Sequence, residues 1–435
     1  MNTDKSTTSK RTRRVRHLPW FAIIPVALSL ALGVWGIQNT TLWFDEIMTL
    51  FASSWPLYHL WEAPLVPYYF LMYGWTLTGD FAPDWWLRLS SVVAAAVAIG
   101  LTAIAAKMLV NRRIGLVAGL LLALMPGVTR YAQEARVYAF AMLLVSIATL
   151  IFLYALRDQR RLWWVLYALS LATIGVFAPF AYAVVPAHAV LLSLDQGNRK
   201  LFRPWLFSCL SNIPVLVVLS YFALRYSSLH GWVEQPTLGD LPTALPLIAL
   251  NTTFGWILVT LSVLSRESAK WLMAVGAGIV ALWVISLGPS SFWIQRSMLP
   301  LAPLLAIAAA IALSRAKWPA IISVISVLGI VAWPSYIADR QPDARGTNAH
   351  RTVDLVDKYG QEGDVISTAI NFGFSWSVEH YLPGDERFEF APSSKGRIWV
   401  TEPKVNCDRI AEFQIAPDSD LILCKDLPPE WDSNL

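Results

Sequence analysis

The chain has 435 residues, of which 56% are hydrophobic and only 15% charged, with 21 tryptophans and a formal net charge of +4. That balance excludes an ordinary soluble globular domain, and the small positive excess lies in short connections rather than in a nucleic-acid-binding patch. Apolar runs of about 15 to 25 residues recur from Leu18 to Ile337, each long enough, or nearly so, to cross about 30 Å of hydrocarbon as a helix. What remains is a polytopic membrane protein whose membrane part is all-α.

In chain order, residues 1–17 are a basic cytoplasmic segment carrying Lys5, Lys10, Arg11, Arg13, Arg14 and Arg16. The apolar run after it has no small-residue cleavage site, so it reads as a retained first span rather than a signal peptide. The runs predict about eleven spans, near 18–37, 85–108, 114–129, 137–156, 162–178, 180–194, 203–225, 244–263, 271–288, 298–314 and 318–337. Arg112-Arg113, Arg157 with Arg160 and Arg161, Arg199-Lys200, Arg266 with Lys270, and Arg315 with Lys317 mark every second connection, which places those loops and the N-terminus in the cytoplasm. Within the spans, Cys209 reads as a small hydrophobe, and His188, which shares the sixth span with Tyr182, as a satisfied intramembrane histidine.

An odd number of spans leaves residues 339–435 outside, after a transmembrane domain over 18–338. Here the composition turns soluble. His350–Tyr359 reads as a helix, and Asp364–Ala369, Arg397–Thr401 and Leu421–Leu423 as strands, which together predict a small extracytoplasmic α/β domain. Cys407 and Cys424 fall within it, where an oxidising compartment would permit a disulfide. There is no internal repeat or low-complexity tract.

Three polar patches face the outer side. The connection 38–84 holds Asp45 and Glu46 in Trp43-Phe44-Asp45-Glu46, then His59, Glu62, Asp80 and Asp84. Its stretch Ala63–Thr78 is apolar and aromatic, but a span there would invert the charge alternation of every later loop, so it is expected as an interfacial helix. The second patch is Arg130-Tyr-Ala-Gln-Glu134-Ala-Arg136-Val-Tyr138, and the third is Trp293-Ile-Gln-Arg296-Ser297. Charges so close to apolar helices must face water, each other or a ligand.

Asp45-Glu46 after the first span, Glu62-Ala63-Pro64 with Tyr68-Tyr69, the Arg88-Leu-Ser segment, Tyr131 to Tyr138 and Arg296-Ser-Met-Leu-Pro300 stand in an order and spacing similar to those of the type C membrane glycosyltransferases. The resemblance is to the protein mannosyltransferase and aminoarabinose transferase-like branch and covers roughly residues 18–315. It implies that sugar arrives on a polyprenyl phosphate, that Asp45 is the catalytic base, that Glu134 is the second acid, and that Glu62 is a ligand for a divalent ion such as Mg, Mn or Zn. Many members carry His-Pro-Pro-Leu-Tyr-Tyr where this chain has Glu62-Ala-Pro-Leu-Val-Pro-Tyr68-Tyr69.

The chemistry agrees with such a set. A sugar moved from phosphate to a hydroxyl needs a base for the incoming alcohol, while the departing phosphate is already a stable anion and needs no acid partner of the kind glycosidases use. Cations meet its charge, and Arg136 and Arg296 are the outer-face candidates. Tyr68, Tyr69, Glu46, Glu134 and His59 are candidates for donor or acceptor binding. Each has a plainer reading: Asp45 as a helix N-cap, Glu46 as a structural neighbour, Glu134 as the partner of Arg130 or Arg136, Arg296 as an ordinary positive residue at a helix start, and Glu62 as a solvated rim residue. The function expected is an inverting glycosyltransferase of the plasma membrane, passing a hexosyl or pentosyl group, mannosyl among them, to an envelope glycan, lipid or protein. The alternatives are a transporter or flippase of lipid-linked sugars, which calls for midplane charges and hydropathy repeats, and a non-catalytic scaffold.

Overall fold

The computed structural model describes residues 19–54, 66–79, 83–225, 233–288, 291–345 and 348–359, with short stretches between 361 and 424. The first helices are α1 (Trp20–Val34), α2 (Phe44–Ser54), α3 (Val66–Leu77), α4 (Asp84–Leu109), α5 (Arg112–Ala123), α6 (Pro126–Ala132) and α7 (Tyr138–Asp158). Among the described residues, five helices are long and apolar enough to cross a membrane: α4, α7, Arg266–Ser286, Gln295–Arg315 and Trp318–Ala338. Counting each of three bent pairs as one span raises the number to eight, and α1, Arg161–Phe177 and Pro179–Leu194 are shorter apolar helices.

The bent pairs correct the expectation of unbroken spans at 114–129, 203–225 and 244–263, since these turn by 64°, 41° and 90°. Hydropathy does not register direction, but backbone chemistry does. Pro126 and Pro214 lack the N–H that would continue the helical ladder. The sharpest bend has Leu250 in the left-handed region at φ 55, followed by Asn251, whose side chain caps the new helix by accepting from Phe254 N–H at 2.9 Å. The apolar stretch expected at the interface forms α3, a separate helix of 12 residues. Trp75 on α3 and Trp86 on α4 stack 5.0 Å apart, and each indole N–H donates to the other's backbone carbonyl.

Small residues bring the central helices together. Ala94, Ala95, Ala98 and Ala106 on α4, and Ala302, Ala306, Ala308 and Ala310 on Gln295–Arg315, are all buried, allowing the backbone approach that membrane helices rely on in place of hydrophobic collapse. Three of these helices are polarised along their length. The helix α4 runs from Arg88 to Lys107, α7 from Tyr138 to Arg157, and Gln295–Arg315 from Arg296 to Arg315, about 30 Å for 21 residues. At the basic end, Arg113 donates to Ala316 C=O and its guanidinium lies 4.6 Å from the Trp318 ring. The polar patches containing Asp45, Arg136 and Arg296 gather at the opposite end.

Beyond the last long helix lie Ala349–Tyr359 and five short strands: β1 (Asp364–Ile366), β2 (Phe388–Glu389), β3 (Ile398–Val400), β4 (Arg409–Ala416) and β5 (Ser419–Cys424). They form one sheet in the order β2-β1-β3-β5-β4, with β1 parallel to β2 and β3, and β5 antiparallel to β3 and β4. The helix, β1, β3 and β5 lie where the sequence suggests, whereas β2 and β4 carried no signal that singled them out. Cys407, one half of the suggested pairing with Cys424, lies outside the described residues.

One buried ion pair holds the loop between α1 and α2. Arg88, one turn into α4, is fully enclosed and grips Glu46 with two hydrogen bonds of 2.8 and 2.7 Å. Its remaining donors reach the carbonyls of Ile37, Thr40 and Thr41 at 2.8 to 2.9 Å. Ala135 N–H also donates to Glu46, at 2.9 Å. Burial pushes the Glu46 carboxyl up, but the Arg88 charge and hydrogen bonds outweigh it and hold the group below its ordinary value. The stabilisation this provides is therefore present above the usual carboxylate range and is lost as pH falls through the lowered folded value. Arg88→Met, which leaves Glu46 buried and uncompensated, is expected to cost about 3–5 kcal/mol, read as a lower thermal unfolding midpoint in detergent. Lys270→Ala, at the exposed Lys270–Glu267 pair, is expected to cost less than about 1 kcal/mol.

Candidate active site

Consecutive residues on a helix point about 100° apart, which lets the two acids of α2 divide their tasks. Glu46 turns inward to Arg88, while Asp45 turns toward the second and third polar patches. Its Oδ2 accepts from Arg296 Nη1 at 3.3 Å and lies 3.7 Å from Arg136 Nη2. Arg136 is fixed by two further bonds from Nη1, to Asp45 C=O at 3.0 Å and Thr49 Oγ1 at 3.2 Å. The Arg296 guanidinium sits 5.5 Å from the ring centroids of both Trp43 and Tyr138, a cation–π setting that orients it.

The side chains of Asp45, Arg136 and Arg296 keep 18%, 11% and 15% of their surface exposed. The trio is thus partly desolvated yet open to a ligand. Arg136 Nε and Trp43 Nε1 have no hydrogen-bond partner among the described residues. Donors of this kind, set around one carboxylate, can take a phosphate on the guanidiniums while the carboxylate receives a proton.

Tyr68 and Tyr69 are buried behind this site with ring centroids 5.8 Å apart. Tyr68 lies within the electrostatic reach of Arg136 and packs against Phe140 at 5.6 Å. Phe140 is also part of the wall of an apolar groove of about 530 Å³ between α3, α4 and α7, lined by Leu71, Trp75, Trp86, Val93 and Leu143.

Glu46 is fully enclosed, with both oxygens engaged, the setting of its plainer reading as a structural neighbour. Glu134 is also buried, and of its two expected partners it meets Arg130 and not Arg136. Its Oε1 accepts from Arg130 Nε at 3.1 Å and Arg345 Nη1 at 2.5 Å, while its Oε2 has no partner among the described residues. Arg130 Nη1 continues the network to Asp339 Oδ1 at 3.1 Å. Asp339 and Arg345, which sequence reasoning did not single out, lie 209 and 211 residues from their partners. Arg88, already named in the Arg88-Leu-Ser segment, had a readable signal as a charge inside an apolar run. His59 and Glu62 lie outside the described residues. Among those described, no group of three or more His, Cys, Asp or Glu could hold a metal ion, and the groups around Asp45 are guanidiniums, which do not ligate a cation.

Glu134 and Asp45 should therefore separate in a stability measurement. Glu134→Gln is expected to lower stability by about 3–5 kcal/mol, because Arg345 stays buried without its counter-charge. Asp45→Asn is expected to change it by about 1 kcal/mol or less, because the pair reaches water. Thermal unfolding of the two variants in one detergent checks this.

Residues 62–223 match the model of a family described as Dolichyl-phosphate-mannose-protein mannosyltransferase. Among solved structures, the chain is similar to ArnT from Cupriavidus metallidurans, in the apo state and bound to undecaprenyl phosphate, with TM-scores of 0.61 and 0.62. Identity is 12% in both cases, over 93% of this chain and 98% of that one. The oligosaccharyltransferase of Archaeoglobus fulgidus is similar at a TM-score of 0.50 and 12% identity, over 85% of this chain and 64% of that one. The comparison with curated proteins found no match. The long apolar helices, the patches at one end of them and these similarities agree: the chain has the polytopic membrane fold of ArnT, and residues 62–223 within it are similar to the mannosyltransferase family.

Proposed function

We propose that the protein is an inverting glycosyltransferase that moves a hexosyl or pentosyl group from a polyprenyl phosphate to a hydroxyl of an envelope glycan, lipid or protein. In this reading it works at the outer face of the plasma membrane. The observation that carries the proposal is the Asp45 carboxylate between the guanidiniums of Arg136 and Arg296.

The acceptor alcohol has a pKa far above neutral and must lose its proton as it attacks the anomeric carbon; Asp45 receives that proton. As the carbon–oxygen bond to phosphate breaks, negative charge grows on the leaving oxygen. Arg136 and Arg296 meet it, exchanging their contact with Asp45 for the donor phosphate and leaving the carboxylate basic. A single displacement of this kind inverts the anomeric centre. The rings of Trp43 and Tyr138 offer flat apolar surface to a sugar face. The apolar groove beside Tyr68 and Phe140 suits a polyprenyl tail, and ArnT, similar in fold, has been seen bound to undecaprenyl phosphate. Glu62 as a ligand for a divalent ion is a further proposal, and no step above passes through a metal.

The test supplies radiolabelled polyprenyl-phosphate sugars to membranes containing the wild type or variants. Asp45→Asn is expected to lower transfer by about 10²–10⁴-fold, and Arg296→Lys, which loses the planar fork, by about 10-fold or more. Equal transfer by the wild type and Asp45→Asn would remove Asp45 as the base, and no transfer from any such donor would reopen the transporter reading.

A further inference from the structure

Leu42 lies three residues before Asp45 and is fully buried. Both of its backbone groups are held by side chains from the far end of the chain. Its N–H donates to Tyr381 Oη at 2.8 Å, and its C=O accepts from Ser377 Oγ at 2.8 Å. Tyr381 Oη in turn donates to Asp84 Oδ2, while Asp84 Oδ1 lies 3.2 Å from His380 Nε2. One residue earlier, Thr41 Oγ1 accepts from Ala349 N–H at 3.4 Å. The ring of Tyr381 is itself packed between His350 and His380, at 4.5 and 4.8 Å.

Buried backbone polar groups must be paired, but these need not have been paired by a segment more than 330 residues away. On its other side the same loop is fixed by Arg88 through the carbonyls of Ile37, Thr40 and Thr41. The loop is thus clamped from both sides immediately before the helix that carries Asp45. Asp84 links the two grips, since it opens α4 one turn ahead of Arg88 and receives the Tyr381 hydroxyl.

We propose that Tyr381 and Ser377 are positioning residues, which fix Asp45 relative to Arg136 and Arg296 by holding the backbone of Leu42. The inference rests on the glycosyltransferase reading and extends it to the C-terminal segment. A shift of about 1 Å in a reacting group can cost about 10²-fold in rate. Removing the Tyr381 hydroxyl both frees the Leu42 amide and strips a donor from Asp84.

The experiment uses the full chain in lipid nanodiscs and two readouts: sugar transfer from a polyprenyl-phosphate donor, and hydrogen exchange of the backbone over residues 41–47. Tyr381→Phe and Ser377→Ala are expected to lower kcat by about 10- to 10²-fold, with KM for the donor unchanged and exchange over 41–47 accelerated. Ser377→Thr, which restores the hydroxyl, is expected to recover kcat. Wild-type kcat in both variants, or a loss explained wholly by a smaller folded fraction, overturns the positioning role. Unchanged exchange over 41–47 overturns the clamp whatever the activity. If the wild type transfers no sugar, the functional reading fails on its own, and exchange still decides whether these side chains hold the loop.

Discussion

The structure depends on a buried charge that cannot be left alone. Arg88 sits inside an apolar helix and has to satisfy its whole guanidinium without water. It does so by collecting Glu46 and three carbonyls of the preceding loop. The loop is thereby tied to the helix bundle at several points, and Asp45, the next residue round the helix from Glu46, is presented outward. The pair fixes a geometry more than it adds stability, because two charges taken from water recover little beyond their own desolvation. That geometry ties one acid of an adjacent pair to the bundle and leaves the other facing Arg136 and Arg296.

The same logic extends to the C-terminal segment. Asp339 and Arg345 join Arg130 and Glu134 in a second buried network, and Tyr381 and Ser377 reach the first loop. The polar end of the bundle is thus closed by contacts from distant parts of the sequence. The opposite end, with Arg113 at Ala316 and Trp318, is basic and simpler. This asymmetry between ends separated by about 30 Å is what the proposed transfer at one interface requires.

Much of this was legible in the sequence, for identifiable reasons. Long apolar runs announce helices, and charges beside them announce function or pairing, so Asp45, Arg136 and Arg296 could be named as candidates and are found together. The bends at Pro126 and Leu250 were not legible from hydropathy, which averages over residues and has no direction. The resemblance set Asp45 apart from Glu46, but the physical reason, which side of α2 meets Arg88, has no local pattern. Partners 211 residues apart, as with Glu134 and Arg345, leave no local pattern at all. Glu134 had Arg130 and Arg136 as equal candidates for a partner; it meets Arg130, while Arg136, two residues on, joins Asp45, because the backbone leaves helical geometry between α6 and α7.

The most direct measurement is a structure of the full chain in a nanodisc with a polyprenyl phosphate bound. The account expects phosphate oxygens within about 3 Å of guanidinium nitrogens of both Arg136 and Arg296, with the Asp45 carboxylate released from them and facing an open approach for an alcohol. A phosphate seated away from these two arginines, or an Asp45 still locked between them, would contradict it.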